Sequence, residues 1–189
     1  MQNNIEEILI QNPIIPVVTI ENMEQIDIIY KQLKEKGIKC IEITLRTEFS
    51  WEAIAEFKMR FGNEFQVGVG TVISNEQILK CVEYKVDFIV SPGLTTALVQ
   101  NLEHSGIPFI PGVATPSEIM RGMELGWKFF KFFPANLFGG IDALKTYGAV
   151  FKNVKFCPTG GINEANYKEF LSLKNVVSVG GSWIVNPKY

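Results

Sequence analysis

From one end of the chain to the other, short runs rich in Val, Ile and Phe alternate with longer amphipathic segments. This alternation restricts the fold more than any other feature, because strand-helix-strand repeats bury their apolar runs best in a parallel sheet covered by helices. Strands are expected near Ile14–Val18, Lys39–Thr44, Gln66–Gly70, Phe88–Ser91, Pro108–Gly112, Lys128–Phe132, Lys155–Pro158 and Val176–Gly180. Eight such strands, each followed by a helix after a short loop, favour an α/β fold of the TIM (β/α)8 barrel type. An open doubly wound sheet, which commonly has fewer strands, is the alternative. After Gly181 only SWIVNPKY remains, too little for a full eighth outer helix. The last outer helix therefore reads as missing or truncated, with the segment around Asn4–Ile10 or a partner subunit as candidates to cover the gap.

The helices announce themselves by their apolar stripes and caps. Met23, Ile26, Ile29 and Leu33 form one stripe, and Gly37 stands where a helix end wants a residue tolerant of positive φ. Ser74 with Gln77 has the spacing of a capping box, and Thr115-Pro116-Ser117-Glu118 adds proline in the first helical position. Asn163 is expected to cap the helix after strand seven and Ser50 the helix after strand two. No linker or charge block interrupts the series, so residues 1–189 are expected to form one domain.

Composition then excludes whole classes of function. The 189 residues are 47% hydrophobic with net charge -2, and no basic cluster follows a phosphate backbone or a membrane surface. Neither a nucleic-acid nor a membrane partner is expected. MQNNIEEILI lacks a basic segment before its short apolar run, and the cytoplasm is the expected location. Cys40, Cys81 and Cys157 are odd in number and set among apolar residues, which favours buried free thiols.

The polar residues on strands carry the chemistry. In CIEITLR, Cys40, Glu42, Thr44 and Arg46 share one parity, and the apolar parity should pack under helices. Glu42, Thr44 and Arg46 are left facing the lumen or its mouth, where a structural ion pair and a functional site are equally compatible with Glu42 and Arg46 alone. In WKFFKFFPAN, Phe129, Lys131 and Phe133 share a face. An unpaired ammonium among aromatic rings is costly to bury, and the usual relief is a lowered pKa that yields a neutral, nucleophilic amine. PTGGI and VGGSW each end a strand in paired glycines, at the two strand ends where barrels commonly cradle phosphate. Thr159 and Ser182 add hydroxyls there.

EITLRT, GVGTV, SPG, PGVATPSE, KFFPA, PTGGI and GGSW occur in order from strand two to the chain end. Together they resemble the KDPG/KHG aldolases, class I lyases that cleave 2-keto-3-deoxy-6-phosphogluconate and 4-hydroxy-2-oxoglutarate. The resemblance implies that Lys131 forms a Schiff base with the keto carbon and that Glu42 is the general acid/base. It implies that Arg46 grips the carboxylate of the pyruvate end, that Thr71 and Pro92 line that part of the pocket, and that Phe133 lies against the ketoacid. Thr159, Gly160, Gly161 and Ser182 match the phosphate-binding positions. It also implies a phosphorylated 2-keto acid substrate, no metal, no cofactor and a homotrimer. Two departures stand out: Asn136 replaces the glutamate that many members carry after KFFPA, and the chain stops before the last helix.

Three rivals follow from the same residues. A 2-keto-3-deoxy-6-phosphogalactonate aldolase would share nearly every motif. A metal-assisted aldolase or phosphosugar epimerase is opposed by the position of His104, the only histidine, in a helical segment. A non-catalytic phosphosugar-binding barrel is opposed by the intact set of Glu42, Arg46 and Lys131. Trp51 and Trp127 read as core residues, and Trp183 as a neighbour of the phosphate loop.

Overall fold

The structure, a computed structural model, describes residues 4–185. Helix α1 (Ile5–Gln11) leads into strand β1 (Ile14–Val18), and the chain then alternates between strand and helix. Strands β2 (Cys40–Thr44), β3 (Gln66–Gly70), β4 (Phe88–Val90) and β5 (Phe109–Ile110) follow β1 in parallel pairing. The last strand, β9 (Val179–Gly181), pairs with the free side of β1. Strands β6 (Gly112–Val113), β7 (Phe129–Phe132) and β8 (Lys155–Pro158) form a second parallel set. Single bridges, Phe156 to Val176 and Thr159 to Gly180, tie this set to the β9 side.

The result is an α/β fold built on a curled parallel sheet. Two of the expected strands are shorter or more broken than their composition suggests. Pro108–Gly112 divides into β5 and β6 at Pro111, which has no N–H to give a ladder, although its carbonyl accepts from the Lys131 amide at 2.9 Å. Gly112 also presses against the chain of Pro92, where a Cβ would lie 2.3 Å from the carbonyl. In Val176–Gly180, regular pairing begins only at Val179, with Val176 held by its single bridge.

Helices α2 (Gln25–Glu35), α3 (Ser50–Phe61), α4 (Asn75–Glu83), α5 (Thr96–His104), α6 (Pro116–Glu124), α7 (Gly140–Val150) and α8 (Tyr167–Leu171) accompany the strands. Their apolar faces pack on Ile41, Ile43, Val67, Val69, Phe130 and Phe132 in the larger core cluster. Alternate residues of the same strands, Cys40 and Phe129 among them, fall in a separate inner cluster. The period of two in CIEITLR and FFKF thus sorts side chains between helix layer and lumen.

Helix α1 does not cover an outer gap. Its Ile5, Ile8 and Leu9 are buried in the inner cluster with Ile15, Phe88 and Phe129, so it stops the lower end of the curled sheet, where the strands begin. Burial of each such side chain stabilises by roughly 1.5–3 kcal/mol. Asn12 fixes the junction by donating from Nδ2 to the Ile8 carbonyl at 2.8 Å and to Gln66 Oε1 at 2.7 Å. No helix follows β9 among the described residues.

Several local expectations resolve at once. Ser74–Gln77 and Thr115–Glu118 both form reciprocal capping boxes, and Gly37 takes φ 68° after α2. Ser50 is inside α3 rather than capping it: its hydroxyl donates to the Thr44 carbonyl at 2.9 Å and accepts from the Thr47 amide at 3.1 Å, tying down the loop after β2. Asn163 accepts from the Ala165 amide in a turn before α8, which starts beyond it. Trp127 is buried in the core, whereas Trp51 is half-buried and stacks on Tyr84. All three cysteines are free and buried. No helix among the described residues is long and apolar enough to cross a membrane.

Candidate active site

Parallel register brings the two central residues together. Glu42 lies beside Val17 of β1 and Gly68 of β3, and Lys131 lies beside Gly112 of β6 and Cys157 of β8. Both side chains point inward and meet, with Lys131 Nζ donating to Glu42 Oε1 at 3.3 Å. Glu42 is 3% and Lys131 4% exposed. Lys131, costly to bury unpaired among aromatics, is thus paired with Glu42, and the ring of Phe133 stands 5.1 Å from Nζ. Gly70 makes the approach possible, since a Cβ there would lie 2.1 Å from Glu42 Oε1.

Just above this pair, at the C-terminal ends of β1, β2, β7, β8 and β9, a cleft of ≈ 380 Å³ opens to solvent. Phe133 and Arg46 line it from one direction, and Thr159, Gly160, Gly161 and Ser182 from another. Thr19 and Glu21, from the turn after β1, complete the wall beside Arg46. A larger hollow of ≈ 600 Å³ lies at the opposite end, between α1 and the start of β7, and contains none of the candidate residues.

Arg46 is anchored by its Nε, which donates to Thr71 Oγ1 at 3.3 Å. Thr71 itself sits at φ 63°, a region that a β-branched residue enters only with strain of order 1–3 kcal/mol. Such strain is concentrated at sites where a side chain must be aimed. Pro92 is half-buried and does not line the cleft; it reaches the site indirectly, because its carbonyl packs on Gly112, the register partner of Lys131.

The glycine loops are held from both sides. Gly160 and Gly161 take φ 99° and 73°, a turn that only glycine enters freely and that leaves bare backbone lining the cleft. A 3-10 turn, Ala135–Phe138, follows the cis Phe133–Pro134 bond and braces this loop. The Ala135 amide donates to the Thr159 carbonyl at 2.8 Å and the Asn136 amide to the Gly160 carbonyl at 3.2 Å. Asn136 thus serves the loop through its backbone. Thr159 is buried over Gly180, where a Cβ would meet Oγ1 at 2.4 Å. Trp183 fills the space a Cβ on Gly181 would need and donates from Nε1 to Glu164 Oε2 at 3.0 Å, which steadies the exposed Ser182 between them.

Two groups drop out as chemical actors. His104 is exposed on α5, away from the strand ends. Burial pushes the Cys157 thiol up to about 11, so it is a poor nucleophile although it neighbours Lys131 in register. Of the residues named from the sequence, Arg46, Phe133, Thr159, Gly160, Gly161 and Ser182 line the cleft, whereas Gly70, Thr19 and Glu21 were not among those named. Gly70 was legible as the second glycine of GVGTV, and Thr19 needed the cross-strand register.

The chain as a whole is similar to known proteins. A statistical model of the family described as "Aldolase: KDPG and KHG aldolase" matches residues 5–189. The KHG/KDPG aldolase of Escherichia coli (strain K12) is 43% identical over 180 residues, covering 95% of this chain and 84% of the relative. A crystal structure of KDPG aldolase from Legionella pneumophila, with pyruvate captured as a covalent carbinolamine intermediate, superposes with TM-score 0.93 at 44% identity, covering 97% of this chain and 88% of that one. The aldolase of Zymomonas mobilis ZM4, solved with 3-phosphoglycerate, gives TM-score 0.91 at 37% identity, covering 97% of this chain and 87% of that one.

Proposed function

We propose, from the premise that this chain belongs to the KDPG and KHG aldolase family, that Lys131 carries the Schiff base of its reaction and Glu42 moves the protons. The enzyme is a class I aldolase, a lyase that reversibly cleaves 2-dehydro-3-deoxy-6-phosphogluconate to pyruvate and glyceraldehyde 3-phosphate. With 4-hydroxy-2-oxoglutarate the same steps give pyruvate and glyoxylate. The observation that supports the assignment is the buried 3.3 Å contact of Lys131 with Glu42 beneath the cleft.

The chemistry runs as follows. The ammonium of Lys131 gives a proton to Glu42, and the free amine attacks the keto carbon to form a carbinolamine. Glu42 returns the proton to the departing hydroxyl, water leaves, and an iminium joins Lys131 to the substrate. Glu42, again a carboxylate, takes the proton of the hydroxyl on carbon 4, directly or through water. The bond between carbons 3 and 4 breaks, its electrons flow into the iminium, and the aldehyde leaves behind a neutral enamine. Glu42 then protonates carbon 3, and water hydrolyses the imine to release pyruvate. Arg46 offers a planar fork to the substrate carboxylate, with Thr71 aiming it and Phe133 flat against the ketoacid. Thr159, Gly160, Gly161 and Ser182 receive the distal phosphate through hydroxyls and backbone amides. Pro92 shapes the floor through Gly112.

The assignment is tested by treating the enzyme with pyruvate and borohydride. A single adduct on Lys131 is expected, absent in Lys131→Ala; an adduct on another lysine overturns it.

Three further readings complete the proposal. The curled sheet closes as a (β/α)8 barrel of one domain, supported by the single bridges beside β9 and by the alignment of β5 and β6 around Pro111. The protein works in the cytoplasm, in keeping with three unbridged thiols. It assembles as a homotrimer, supported by the apolar side chains it exposes, among them Ile73, Leu79, Met120 and Leu137. Light scattering that returns a monomer at working concentration would remove the last reading.

A further inference from the structure

We infer that Thr19 is a specificity-determining residue that accepts a hydrogen bond from the substrate hydroxyl lying beyond the cleaved bond, on carbon 5. The inference rests on the Schiff-base assignment above, which fixes where the keto carbon sits.

Thr44 is completely buried, and its Oγ1 has two oxygen neighbours: Thr19 Oγ1 at 2.8 Å and the Val18 carbonyl at 3.2 Å. A hydroxyl has one proton to give, and a carbonyl can only accept. Both contacts are satisfied together in only one arrangement, in which Thr44 donates to Val18 and Thr19 donates to Thr44. The hydroxyl proton of Thr19 is then committed to the interior. Thr19 Oγ1 has no other polar contact among the described residues, and Thr19 lines the cleft. What it can offer a ligand is a lone pair.

Register supplies the height. Val17 is the partner of Glu42, and Thr19 stands two residues further on, just past the end of β1, about 6.6 Å nearer the mouth if the chain keeps its parallel-strand rise. The hydroxyl on carbon 4 belongs to Glu42 and the Lys131 level, whereas the next hydroxyl toward the distal phosphate falls higher. A donor on carbon 5 meets the lone pair of Thr19. The 4-hydroxy-2-oxoglutarate substrate carries a carboxylate at that carbon, an acceptor only, and gains nothing from Thr19.

The test compares the two substrates in Thr19→Val and Thr19→Ser variants. Thr19→Val is expected to lower kcat/KM for 2-dehydro-3-deoxy-6-phosphogluconate about ten-fold while leaving 4-hydroxy-2-oxoglutarate cleavage and borohydride trapping of pyruvate unchanged. Thr19→Ser, which keeps the hydroxyl, is expected to restore the sugar-acid rate. Equal losses on both substrates, or no loss on the sugar acid, overturn the role of Thr19 and leave the Schiff-base assignment intact. Failure of the unaltered enzyme to trap pyruvate on Lys131 overturns the Schiff-base assignment and the role of Thr19 with it.

Discussion

Gly70 decides whether Glu42 can lean far enough to touch Lys131. A methyl group there would occupy the place of the carboxylate, whose Cγ, Cδ and Oε1 all lie within 2.8 Å of it. Gly70→Ala is therefore expected to lower kcat about 100-fold, as removal of a general acid/base does. Because Glu42→Gln removes the same function, the double variant should be no slower than the worse single one. Additive losses in steady-state kinetics would show that Gly70 and Glu42 act separately. At this scale the sequence was readable where parity governs, so Glu42, Thr44 and Arg46 could be assigned to one face of β2. Thr71 and Pro92 came only from family likeness, because neither a strained φ nor a backbone carbonyl packed on Gly112 leaves a compositional mark. Thr19 was hidden for a related reason: its partner is twenty-five residues away, and only pairing of β1 with β2 brings them together.

Among the elements, α1 contributes stability without touching the reaction. Leu9 is fully buried at the lower end of the sheet, so Leu9→Ala should cost about 2–5 kcal/mol in denaturant unfolding and leave KM unchanged. A raised KM with unaltered stability would contradict this division of labour. The capping box of α6 offers a smaller test: Thr115→Ala removes the hydroxyl that accepts from the Glu118 amide and is expected to cost about 1 kcal/mol. Periodicity located the strands well because each carries a continuous apolar run. It misjudged their ends where backbone chemistry intervenes, as at Pro111, and it offered the segment around Asn4–Ile10 as one candidate to cover an outer gap, whereas α1 packs in the inner cluster.

For the molecule as a whole, buried thiols should make stability fall on the alkaline side. Burial pushes Cys81 up to about 12 and Cys157 up to about 11, against an ordinary 9.0. Below that ordinary value both folded and unfolded chains keep the protons. Above it the unfolded chain ionises first, so stability is lost as pH rises from about 9 toward the folded values, with each thiol steepening the fall by up to about 1.4 kcal/mol per pH unit. Cys81→Ala should flatten the alkaline arm of a plot of unfolding free energy against pH, and an unchanged slope would count against the mechanism. Chelator should leave turnover untouched, since an iminium does the work of a metal ion in drawing off electrons; loss of activity restored by a divalent ion would reverse that.

The stopper made by α1 has a kinetic meaning. With the lower end of the sheet filled by Ile5, Ile8 and Leu9, the upper mouth is the route by which a substrate would reach Lys131, and under the proposed Schiff-base assignment pyruvate would be the fragment bound deepest. In cleavage the aldehyde must therefore depart before pyruvate, and in synthesis pyruvate must enter first. Product-inhibition patterns report such an obligatory sequence: pyruvate should compete with the sugar acid for the empty enzyme, and the aldehyde should not.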